Sequence, residues 1–73
     1  PYIAIKAFPK DAETKKKVVE KINQIFRGMG MPQEALTISL EEIVPDEWEK
    51  KVVKPEIEPK KDCMMLFNGE KKY

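Results

Sequence analysis

Histidine is absent from this 73-residue chain, and cysteine, tryptophan and glycine are scarce, with one Cys, one Trp and three Gly. Without imidazole, the usual side chain for proton transfer near neutral pH is missing. One cysteine (Cys63) excludes an internal disulfide, and a single Cys with no His leaves no credible zinc set. No run of 18 apolar residues is present, so no membrane association is expected, and there is no signal-peptide pattern. A reducing cytoplasm is the expected location. Neither charge sign is in excess, because 14 Lys/Arg face 13 Asp/Glu and the two are interspersed. A nucleic-acid partner would call for a concentrated basic patch, so none is expected. A chain this short makes one domain, residues 1–73. It buries only about 60% of its unfolded surface, which leaves oligomerisation as the remaining staple.

What is present begins at residue 1. The chain opens Pro1-Tyr2-Ile3-Ala4-Ile5-Lys6-Ala7-Phe8, with no methionine ahead of it. With Pro1 as the mature terminus, its nitrogen is a secondary amine on a rigid ring, a base that an internal proline lacks. An accident of processing is the competing reading, since proline makes up about 5% of residues on average.

Residues 2–8 read as a strand, with Ile3, Ile5 and Ala7 on one face and Tyr2, Ala4, Lys6 and Phe8 on the other. Both faces are largely apolar, which predicts cover on both sides. Pro9 stops the strand, and Asp11 is a helix N-cap with Glu13 in the first turn. Val18, Val19, Ile22, Ile25, Phe26 and Met29 then form one apolar helical stripe. Gly28 or Gly30 ends the helix, and Pro32 prevents its resumption. The Lys15–Lys17 run reads as a solvated face. A second strand follows over residues 36–43, with Leu36, Ile38 and Leu40 inward.

Connections this short predict a right-handed βαβ unit with parallel strands, an α+β class. Such a unit leaves two sheet edges free, which pairing with a second copy would cover. Residues 44–53 read as a short helix starting near Pro45 or Asp46 and ended by Pro55. Residues 58–67 read as another helical turn or two, closed by Asn68-Gly69, with a loosely held tail over 70–73. Cys63 reads as a buried small apolar side chain, and Met64 and Met65 as core or interface packing.

The start Pro-x-Ile-x-Ile-Lys-x-Phe-Pro-Lys, the amphipathic helix and the second strand resemble the tautomerase superfamily typified by 4-oxalocrotonate tautomerase. The segments Glu42-Ile43-Val44-Pro45-Asp46-Glu47-Trp48 and Glu56-Ile57-Glu58-Pro59 are most similar to its longer-tailed, dimeric bacterial branch acting on phenylenolpyruvate-like enols. The resemblance implies the tautomerase/MIF-like fold, with short C-terminal helices and two copies forming a four-stranded sheet as a homodimer. Residues 54–73 would then be an extension packing on the domain or dimer. It also implies a cofactor-independent isomerase, with no cofactor or metal, acting on a small 2-oxo acid or its enol.

In that family the terminal proline nitrogen is the general base, a role that falls on Pro1. Such an amine must be neutral to act, which an apolar pocket or a nearby cation favours. Tyr2, Phe8 and Trp48 would supply apolar walls. Lys10 falls where typical members hold a substrate carboxylate with an arginine, and it would do so as a point charge without the bidentate fork. Trp48 falls at the family's aromatic pocket residue. Thr37 stands where the best-known members have a second arginine. A threonine hydroxyl cannot neutralise charge, so an enol with one carboxylate and an apolar tail fits better than a dicarboxylate.

Each assignment has a plainer reading beside it. Lys10 is equally a surface lysine, Trp48 a core or interface anchor, and Thr37 a strand residue favoured by its branching. Cys63 has no His to activate it as a nucleophile. Two other functions keep the same sequence features: Pro1-dependent hydratase, dehalogenase or iminium chemistry, and a non-catalytic oligomeric binding module.

Overall fold

The computed structural model describes all residues 1–73. Strand β1 runs Tyr2–Ala7, helix α1 Ala12–Gly28 and strand β2 Thr37–Glu42. The two strands pair in parallel, Tyr2 against Thr37 through to Ala7 against Glu42. The chain is therefore an α+β unit of the βαβ kind, as the alternation and the helical period predict. No helix is long and apolar enough to cross a membrane.

Local chemistry accounts for both ends of α1. Asp11 accepts the Thr14 N–H at 3.3 Å, satisfying one of the helix's free donors. At the other end Gly30 takes φ +84°, donating to the Arg27 carbonyl at 3.0 Å, while Met31 donates to the Phe26 carbonyl at 3.2 Å. This pair of bonds is a Schellman cap, and Gly30 rather than Gly28 is its left-handed residue.

Alternation assigns the faces. Ile3 and Ile5 of β1 and Ile38 and Leu40 of β2 are half-buried. Leu36 and Ile38 share a cleft with Val19 and Asn23 of α1, which puts the helix on that side. The opposite side carries Tyr2, Ala4 and Lys6 opposite Thr37, Ser39 and Glu41. It is covered over part of its length by the chain that follows β2. There Ala4 and Lys6 form a cleft of about 240 Å³ with Trp48, Val52, Glu56 and Ile57, and Lys6 forms an ion pair with Glu56. Tyr2, 68% exposed, has no such cover, so β1 is not enclosed on both faces along its whole length.

Past β2 the structure departs from the local signals at four points. A short 3₁₀ turn (Pro45–Glu47) leads to a π-helical segment, Glu49–Ile57, which continues through Pro55 instead of ending there. Its closing bond runs from the Glu58 N–H to the Val53 carbonyl, five residues back. In this wider turn proline no longer meets the carbonyl it would strike in an α-helix. A further 3₁₀ stretch, Glu58–Cys63, leaves Cys63 exposed rather than buried, because the chain is turning at the surface. The predicted helical residues 66–67 are instead strand β3 (Leu66–Phe67), and the tail is not loose. Strand β4 (Glu70–Lys71) pairs with β3 in an antiparallel hairpin. Asn68 and Gly69 have φ of +47° and +79°, the mirror-type turn that suits a two-residue hairpin.

Only two of the 73 residues, Ile43 (4% exposed) and Val52 (5%), are buried. Ile25, Met29, Val44, Met65 and Leu66 all remain more than half exposed. One copy thus encloses almost no core, as expected of a unit with free sheet edges.

Candidate active site

The six residues singled out by sequence do not form one cluster on a single chain. Pro1, Tyr2 and Thr37 lie at the start of β1. The Thr37 N–H donates to the Pro1 carbonyl at 3.0 Å, which ties the first residue to the head of β2 while leaving its ring exposed. The Tyr2 hydroxyl shares a 3.3 Å hydrogen bond with Ser39 Oγ on the same sheet face. Phe8 and Lys10 lie beyond the other end, and Trp48, which packs on Phe8, also lines the cleft with Ala4 and Lys6 part-way along the strand. Phe8 and Trp48 meet edge to face, with ring centroids 5.0 Å apart and planes at 75°, the arrangement that aromatic quadrupoles favour.

Seven residue steps of about 3.3 Å put Phe8 roughly 23 Å along the strand from Pro1. A single chain therefore does not bring Pro1 beside Phe8 and Lys10. Trp48 also borders two clefts, the one already described and an apolar one of about 270 Å³ with Val53, Ile57, Met64, Leu66 and Phe67.

Two carboxylates that the sequence reading passed over organise the structure around these groups. Glu42 accepts the Lys10 backbone N–H at 2.8 Å through Oε2 and the Lys15 ammonium at 3.2 Å through Oε1. These bonds, the Lys10 N–H foremost, hold its carboxyl below the ordinary value of 4.5. Residues 36, 38, 40 and 42 share one strand face, so Glu42 continues an apolar stripe directed at the helix side, and that was the available signal.

On the other face Glu56 is held low by its hydrogen bond to Lys6, with Lys60 contributing less. The same bond raises Lys6 above 10.5. No sequence spacing links residues 6 and 56.

The signs fix how pH acts on stability. Carboxyls depressed on folding contribute stability above their unfolded value that is lost as pH falls through the folded one. The melting temperature should therefore drop on acidification below about 4.5, the ordinary value for both glutamates. A Glu42→Gln, Glu56→Gln protein should show a shallower drop in a calorimetric series. An unchanged slope would mean that neither contact favours the folded state.

The parallel βαβ unit with short C-terminal helices is consistent with the tautomerase fold. Sequence comparison agrees: the chain is 31% identical to Tautomerase PptA of Pectobacterium carotovorum subsp. carotovorum (strain PC1) over 72 residues, 94% of this chain and 95% of that protein. The chain belongs to the tautomerase family. No family model matches it.

Proposed function

We propose that this tautomerase catalyses enol–keto proton transfer on a small 2-oxo acid with one carboxylate and an apolar or aromatic tail, using the Pro1 amine as general base. The observation that carries the proposal is kinship with a protein named a tautomerase across almost the whole chain. The reading takes Pro1 as the terminus of the mature protein, which an intact-mass measurement checks.

In the reaction, the neutral Pro1 nitrogen removes the proton from the enol oxygen. The oxygen lone pair forms the C=O bond as the C=C electrons move to carbon, and carbon takes a proton back from the Pro1 ammonium. No net oxidation occurs, and no further acid is required. Lys10, whose ammonium is in no ion pair, is available to hold the substrate carboxylate. Phe8 and Trp48 offer an apolar wall for the tail.

The separation of Pro1 from Lys10 along β1 calls for a second copy. The two-stranded sheet leaves the outer edge of β1 unpaired. Antiparallel pairing of two β1 strands sets the start of one beside the end of the other. Each site would then combine Pro1 of one protomer with Phe8, Lys10 and Trp48 of its partner, in a homodimer.

Treatment with an electrophilic 3-halopropiolate followed by peptide mass spectrometry tests the base directly. Covalent modification at Pro1, together with ketonisation of phenylenolpyruvate, is the expected result. Absence of both would leave a non-catalytic binding module as the better account. Labelling without ketonisation would favour hydratase or dehalogenase chemistry at the same amine.

A further inference from the structure

We propose that Glu42 is a positioning residue that sets the Lys10 loop for carboxylate binding and keeps Lys15 out of that site. The proposal rests on the reading of Lys10 as the carboxylate anchor. The loop between β1 and α1 is fixed at its start by the Ile43 N–H donating to the Ala7 carbonyl at 2.9 Å. It is fixed at its end by the Asp11 cap on Thr14. Between them Pro9 has no N–H to offer. The bond that reaches this stretch from β2 is the 2.8 Å one from the Lys10 N–H to Glu42 Oε2.

The other oxygen has a different effect. Glu42 Oε1 engages the Lys15 ammonium, and both side chains are about one-third exposed, at 34% each. Of the two lysines that Glu42 touches, Lys15 is consumed in an ion pair. Lys10 is gripped by its backbone and keeps its ammonium free. One carboxylate therefore orients the binding cation and neutralises the competing one. An ammonium on a flexible stem gains affinity when its backbone is held in advance, because less freedom is lost on binding.

A double-mutant cycle in the full-length protein, assayed by phenylenolpyruvate ketonisation, tests this. Glu42→Ala should raise KM roughly tenfold, equivalent to about 1.4 kcal/mol, with kcat within about twofold. Lys10→Ala should raise KM at least as much, and adding Glu42→Ala to it should raise KM no further. Independent, multiplying increases would overturn the positioning role while leaving Lys10 as the anchor. An unchanged KM in Lys10→Ala would overturn the anchor reading itself.

Glu42→Gln keeps an oxygen that can accept the Lys10 N–H, so it repeats the cycle in a protein closer to the wild type. A KM rise of about two- to threefold that disappears in the Lys10→Ala background is expected. The same rise in both backgrounds would count against the proposal.

Discussion

Replacing Pro1 by alanine should lower kcat for phenylenolpyruvate ketonisation by about 10²–10⁴-fold, the range contributed by a positioned general base. The substitution removes the ring and leaves a primary amine, more mobile and differently basic. It leaves the fold alone, because Pro1 is exposed and contributes its carbonyl to the Thr37 N–H, an acceptor that alanine also has. The melting temperature should accordingly stay within about 4 °C of the parent, since exposed substitutions typically change stability by less than about 0.5 kcal/mol.

A protein retaining one extra residue ahead of Pro1 is the stricter version. Its nitrogen is a tertiary amide with no basic lone pair, so its activity should fall at least as far as that of the alanine variant. Wild-type kcat in either protein would place the base elsewhere. With no histidine in the chain, the search would turn to carboxylates and Tyr2.

Mixing two impaired proteins should raise activity above their mean. If each site takes Pro1 from one chain and Lys10 from the other, a Pro1→Ala chain paired with a Lys10→Ala chain leaves one of the two sites intact. Random re-pairing makes about half the dimers mixed, so about a quarter of all sites recover both residues. At substrate concentrations well below KM the mixture should reach about a quarter of the wild-type rate. The mean of the parents is roughly a twentieth, taking a tenfold loss for Lys10→Ala.

A mixture no better than that mean would mean that the two residues do not meet across an interface. Sedimentation supplies the companion measurement, with a mass twice the 8.5 kDa of one chain expected. The physical reason lies in the near-absence of a core. With only Ile43 and Val52 enclosed, a lone chain has little apolar burial to offset the entropy of ordering 73 residues. A mass near 8.5 kDa at micromolar concentration would contradict the dimer.

The glutamate contacts show how the two kinds of information differ. Glu42 could have been placed on the helix side by parity alone, yet its two partners lie 32 and 27 residues away. Parity says which way a side chain points, not what it meets. The pair Lys6–Glu56 lacked even that signal, being 50 residues apart. Pro55 misled for a related reason. Its ban on helices is a rule about α-helical geometry, and a π-helical turn evades it. Asn68-Gly69 marked a turn correctly, but the two-residue strands on either side are too short to show alternation.

Residues 1–43 were readable from the chain because the forces that shape them act over a few residues. Alternating apolar side chains made β1 and β2, a 3.6-residue stripe made α1, and Asp11 and Gly30 closed its ends. The motif at Pro1 pointed to the family in the same way, through neighbours in sequence. Folding alone revealed that Pro1 stands at the opposite end of one strand from Phe8 and Lys10, and that Glu42 holds the loop between β1 and α1. Those are distances between segments far apart in sequence, set by strand length and packing, and no local pattern records them.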